Sequence, residues 1–202
     1  MAEATRLVIF MHGVGSSGAD LLPLSDLWRE ALPGTVFAAP DAPFPFPYGM
    51  DHQWFSIAGV TEENRPERIV AARPEFDRVI SELVAGHGFA DRLDRVVFVG
   101  FSQGTIMALD ALVSGRWPVG AIVGFSGRLA SPLPYAPHAS TALLLVHGEA
   151  DTVVDAAETA KASIALEDAG LVVEQHMLPG LGHTISAEGA QIAAEFLARQ
   201  VG

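Results

Sequence analysis

Val96-Val97-Phe98-Val99-Gly100-Phe101-Ser102-Gln103-Gly104-Thr105-Ile106-Met107 is the stretch that decides how this chain is read. Its first four residues are an uninterrupted apolar run, which predicts a strand buried on both faces. From Gln103 the pattern through Leu112 predicts a helix. One serine stands between, flanked at two residues' distance by Gly100 and Gly104. A strand that turns directly into a helix leaves no room for side chains at both flanks, and glycine relieves that crowding. The serine is forced into a strained conformation that thrusts Oγ out of the sheet, above the positive end of the helix. Such a turn is a nucleophile elbow.

Working outward, apolar runs at 6–11, 35–39, 95–100, 119–125, 141–147 and 172–178 read as strands. Helical patterns lie between most of them, at about 19–32, 66–86, 103–115, 155–169 and 186–200. Alternating strands and helices predict an α/β fold: a mostly parallel central sheet with helices on both faces. No repeat, low-complexity tract or Gly/Ser linker divides the chain, so residues 1–202 are expected to form a single domain. Asp155-Ala156-Ala157-Glu158 reads as an acidic capping box at a helix start. Residues 40–60 break the pattern. Pro40, Pro43, Pro45 and Pro47 cannot donate to a ladder, so an ordered loop is expected rather than a strand. The aromatic side chains of this loop need something to bury against. Phe46, Trp54 and Phe55 are assigned to the wall of an apolar acyl pocket; the competing reading is packing on the sheet edge.

The formal net charge of −12 disfavours nucleic acid and anionic membrane surfaces as partners. The absence of cysteine removes disulfides, thiolate metal sites and a cysteine nucleophile together, and fits a reducing cytoplasm. No apolar run approaches the roughly 18 residues of a membrane span. Leu7–Met11 is too short for the apolar core of a signal peptide, and Val201-Gly202 forms no lipidation box. A cytoplasmic protein without membrane insertion is expected. Neither H-x-x-x-H nor H-E-x-x-H spacing occurs, so neither a metal nor another cofactor is expected.

A serine hydroxyl needs a base to take its proton, and the base needs an acid to hold its tautomer. In α/β-hydrolase chains the order is serine, acid, histidine, on loops at the carboxyl ends of strands. Asp151 follows the strand Leu143–Val146 in the loop His147-Gly148-Glu149-Ala150-Asp151 and is the acid candidate. Glu149 and Asp155 compete, but Asp155 is accounted for as a helix cap. His183, in Gly180-Leu181-Gly182-His183, follows the last strand and is the base candidate. The histidines at 12 and 147 each precede a glycine at a strand end and read as loop hydrogen-bonding residues. An oxyanion hole needs two backbone N–H groups. One is expected from Gln103, after the nucleophile, and one from Val14 in the loop Met11–Gly18. A phosphate-binding role for that loop is rejected, since there is no G-x-G-x-x-G and no Walker lysine. Ser126 also follows a strand, lacks the second flanking glycine, and reads as structural.

Together these residues resemble the phospholipase/carboxylesterase family, which includes the acyl-protein thioesterases. The motifs are HGVG at 12–15, PDAP at 40–43, QWF at 53–55, GFSQG at 100–104, HGEAD at 147–151 and GLGH at 180–183. The stretch from Gln53 to Arg65 looks most like a bacterial esterase branch. The resemblance implies a minimal α/β-hydrolase fold and the roles given above for Ser102, Asp151, His183, Val14 and Gln103. Ser16 and Thr105 depart from it, where many relatives carry an acidic residue and a glycine. The segment 127–140 is too short for a lid domain, so short to medium acyl esters are the expected small-molecule substrates. An acyl-protein thioesterase or lysophospholipase is the nearest alternative, and a non-catalytic ligand-binding protein is the alternative of another class. The choice between monomer and homodimer stays open.

Overall fold

The computed structural model describes residues 4–200; the terminal pair Val201-Gly202 lies outside them. β1 (Arg6–Met11) leads through a 3₁₀ turn to α1 (Pro23–Trp28) and β2 (Thr35–Ala38). A loop carrying β3 (Phe44–Pro45) and β4 (His52–Gln53) then reaches the long α2 (Arg65–Gly86). β5 (Val96–Phe101), α3 (Gln103–Val113), β6 (Ala121–Phe125), β7 (Ala142–Gly148), α4 (Ala157–Asp168), β8 (Val173–Leu178) and α5 (Ala187–Gln200) complete the fold. Six strands form one sheet in the order β2-β1-β5-β6-β7-β8, and every neighbouring pair is parallel. Winding runs outward from β1 to β2, then crosses back to β5 on the other side of β1. The loops leaving β1 and β5 therefore diverge and open a crevice at the carboxyl ends of the strands.

Side-chain alternation along each strand divides the core in two. Leu7, Ile9, Phe98, Ile122 and Leu145 face α2, α3 and α4. Val8, Phe10, Val97, Val123 and Leu144 face α1 and α5. The strands lack polar alternation because both faces are covered. All residues of α3 are buried. A helix apolar on every side belongs in the middle of a core, yet this one carries Asp110, whose side chain is fully enclosed. Arg73 on α2 donates Nε and Nη2 to its two oxygens at 3.0 and 2.8 Å, and Arg116 donates Nη1 at 2.9 Å. Arg116 also reaches Asp77 on α2, which accepts the Trp117 indole N–H at 2.7 Å. This network ties the helix behind Ser102 to α2.

Three expectations need correction. The helix expected at 19–32 is broken into the 3₁₀ turn Gly18–Asp20 and the short α1, because Pro23 has no N–H with which to continue a helix from the preceding turn. Residues 40–60 are not wholly loop, since Phe44 and Pro45 pair antiparallel with Gln53 and His52. The prolines alternate with Phe44 and Phe46, so the missing N–H groups fall on the side away from the partner, while Phe46 N–H donates to Asp51 O at 2.7 Å. At the start of α4, Asp155 caps the Ala157 N–H at 2.9 Å. The reciprocal half of the box does not form, because Glu158 turns to Lys161 and Arg128.

Asp110→Asn takes from Arg73 its ion-pair partner and from Arg116 one of two, Asp77 remaining, and is expected to cost about 3–5 kcal/mol in urea unfolding at neutral pH. Burial opposes the charge on Asp110, but Arg73 and Arg116 outweigh it and hold the carboxyl below its ordinary value of 3.8. Its contribution is therefore present above the unfolded-state value and lost as pH falls through the folded one. The stability gap between wild type and variant should shrink below about pH 4.

Candidate active site

Ser102 has φ 52° and ψ −113°, a region that non-glycine residues rarely occupy. Its N–H donates to Phe125 O at 2.9 Å, continuing the β5–β6 ladder past its regular end. Thr105 Oγ1 donates to the same carbonyl at 2.9 Å. Packing leaves no slack around the turn: a Cβ on Gly104 would lie 2.0 Å from Met11 O, and one on Gly100 would lie 2.4 Å from Thr105 N. The threonine that departs from the family pattern fills the hollow left by Gly124 and Gly127, where added Cβ atoms would come within 2.6 and 2.4 Å of it. Ser16, the other departure, donates to Asp20 Oδ2 at 2.7 Å, so a carboxylate still braces that loop from four residues downstream.

The three candidate residues meet. Ser102 Oγ is 3.0 Å from His183 Nε2, and His183 Nδ1 is 2.6 Å from Asp151 Oδ2. Asp151 Oδ1 accepts the N–H groups of Val153 and Val154 at 2.8 and 2.9 Å. Burial works against the charge on Asp151, but His183 and these amides prevail and hold its carboxyl below the usual range. Of the competitors, Glu149 is exposed and Asp155 serves its helix.

A second imidazole stands behind this acid: His147, expected to hydrogen-bond within its loop, does so and also contacts Asp151. His147 is completely buried. Its Nε2 lies 2.9 Å from Val154 O and 3.2 Å from Asp151 Oδ2, so that nitrogen carries a proton and donates to both. Nδ1 meets Thr159 Oγ1 at 2.7 Å. His147 thus shares Oδ2 of the carboxylate with His183. A histidine preceding glycine at a strand end was the only local signal, and it is shared with His12.

His12 organises the loop after β1. Its Nε2 accepts the Ala42 N–H at 2.9 Å, so Nδ1 carries the proton and donates to Gly13 O at 2.6 Å. Burial pushes the ring below its ordinary value, which keeps it neutral. Trp54 Nε1 donates to His12 O at 3.0 Å. The Gln103 side chain joins these parts, accepting the Trp54 N–H at 2.7 Å and donating to Phe55 O at 2.8 Å.

Val14, Ser102 and Gln103 line one cavity of about 120 Å³, together with Phe55, Ile57, Val60, Ile106 and Val154, and with Arg65 and Arg128. Phe55 also lines an adjoining hollow of about 390 Å³ with Phe44, Gln53 and Ala72. The aromatic loop residues expected in the wall separate. Phe55 is in it. Trp54 is not: it has no exposed surface and packs on His12 and Phe76, behind the site. Phe46 covers Gly15 and touches Tyr48, outside the cavity that holds Ser102. Ser126 repeats the posture of Ser102 one strand over, with φ 47° and its N–H on Val146 O at 3.0 Å.

A family model described as phospholipase/carboxylesterase matches residues 1–201. The chain belongs to that family. This phospholipase/carboxylesterase member is 30% identical over 194 residues to esterase YpfH of Escherichia coli K12, covering 96% of this chain and 82% of YpfH. Acyl-protein thioesterase 1 of Neurospora crassa is 27% identical over 222 residues, covering 100% and 89%. Among solved structures, esterase PE8 superposes with a TM-score of 0.82 at 32% identity, over 98% of this chain and 93% of that one. Arabidopsis thaliana SOBER1 shares the fold, with a TM-score of 0.81 at 22% identity over 98% and 99%. The fold is that of the α/β hydrolases, and the family member is a hydrolase. Among the described residues no helix is long and apolar enough to cross a membrane.

Gln103→Leu removes the amide that joins the elbow to the backbone of Trp54 and Phe55. It leaves a buried N–H and a buried C=O unpaired, each costing about 1–3 kcal/mol. Urea unfolding should show the loss, and the KM of any ester that touches Phe55 should rise.

Proposed function

We propose that the protein is a serine carboxylesterase acting on short to medium acyl esters through an acyl-enzyme. The observation that carries this reading is the hydrogen-bonded chain from Ser102 Oγ through His183 to Asp151, built on a residue with φ 52°. Ser102 Oγ attacks the ester carbonyl while His183 Nε2 takes its proton. Asp151 holds the proton on Nδ1 and stabilises the imidazolium. The amides of Val14 and Gln103 receive the oxyanion; support for the pair comes from their shared cavity with Ser102. His183 then gives its proton to the departing alcohol. Water, deprotonated by the same nitrogen, releases the acid and restores Ser102.

The size of the site supports short acyl groups. Apolar side chains make up most of the wall of the cavity that holds Ser102, and the loop between β6 and β7 carries no helix that would form a lid. Thioesters use the same machinery and belong in the same test.

Hydrolysis of 4-nitrophenyl esters of graded acyl length by wild type and Ser102→Ala tests the reading. Turnover is expected to peak at short to medium length and to fall by about three orders of magnitude or more in Ser102→Ala and in His183→Ala. Folded wild type that cleaves neither these esters nor matched thioesters would overturn it, and so would turnover that survives in Ser102→Ala.

A further inference from the structure

Arg65 and Arg128 reach the cavity of Ser102 from different elements. Arg65 is the first residue of α2, and Arg128 follows β6. The walls between them are apolar, through Phe55, Ile57, Val60 and Ile106. A guanidinium in such surroundings needs a counter-charge. Arg128 has one, Glu158 at 3.5 Å, but Glu158 is shared with Lys161 at 2.6 Å. Arg65 has no ion-pair partner within 4.0 Å among the described residues.

The position of Arg65 opposes its charge. Half-buried, it occupies the N-terminal end of a long helix, where the dipole favours anions and disfavours cations. Burial pulls its pKa below the ordinary value, and the Arg128 charge pulls the same way; Glu62 and Glu158 offset this in part. Among the described residues no hydrogen bond or ion pair of the Arg65 side chain accounts for the placement. The chain carries a net charge of −12, so a cavity lined by two arginines is a local construction rather than a general surface property. Two guanidinium forks match the geometry of a carboxylate, and the apolar wall between them suits a hydrocarbon linker.

We propose that this cavity selects esters that carry a carboxylate, held by Arg65 and Arg128 while the scissile carbonyl lies at Ser102. The proposal rests on Ser102 being the nucleophile. The carboxylate belongs to either the acyl or the alcohol portion, and the chemistry of recognition is the same for both.

Two matched pairs test it. The first compares the 4-nitrophenyl monoester of adipic acid with 4-nitrophenyl hexanoate, placing the charge on the acyl side. The second compares 4-carboxyphenyl hexanoate with phenyl hexanoate, placing it on the alcohol side. In one pair wild type should favour the anionic ester in kcat/KM by about tenfold or more at low salt. Added salt should erode that ratio. Arg65→Gln and Arg128→Gln should each bring it towards parity, and Arg65→Glu should invert it. Each pair is read on one protein sample, so partial unfolding of a variant cancels from the ratio. Parity or a neutral preference in both pairs overturns the carboxylate site; if neutral esters are still cleaved in a Ser102-dependent way, the esterase reading survives. Should no ester of either pair be cleaved by the folded protein, the esterase reading fails and this proposal with it.

Discussion

One carbonyl holds the site in place. Phe125 O accepts both the Ser102 N–H and the Thr105 hydroxyl, each at 2.9 Å, and so clamps both ends of the strand-to-helix turn. Without that clamp the turn would relax, since φ 52° at Ser102 costs of order 1–3 kcal/mol. The surrounding packing leaves no alternative path. Gly104 lies against the end of β1, Thr105 fills the hollow of Gly124 and Gly127, and Asp110 anchors the far part of α3 to α2. The strain at one residue is offset by a helix buried along its whole length.

Around this turn, polar side chains act as fasteners rather than reagents. Gln103 joins the elbow to Trp54 and Phe55; Trp54 joins that segment to His12; His12 shapes the loop that presents Val14. On the other flank His147 ties Asp151 to Val154 and Thr159. These groups are buried and hydrogen-bonded, so each fixes a geometry that loops alone would leave loose. The posture of Ser102 is therefore set by side chains that hold backbone and carboxylate in place.

The strands were legible because burial on both faces demands unbroken apolar runs, and the elbow was legible because two glycines and a serine satisfy a steric rule. The meeting of Ser102, Asp151 and His183 followed from loop order in a parallel sheet. Residues without a period were harder. A loop aromatic carries no signal of which way it faces, so Trp54 and Phe55 looked alike although one is core and the other wall. The second imidazole, His147, has partners four, seven and twelve residues downstream that only the fold gathers. Arg65 stood out in sequence only as the last residue of a family-like stretch; its unmet charge depends on what packs beside it. The half-formed capping box failed for a comparable reason, because Arg128 and Lys161 compete for Glu158.

The central claim is that His183 and the strained turn make Ser102 a nucleophile. The most direct test is reaction of the folded protein with a fluorophosphonate, followed by peptide mapping of the modified residue. The account predicts one adduct per chain, on Ser102, whose formation is abolished in His183→Ala. No adduct on wild type, or modification at Ser126 in place of Ser102, would contradict it.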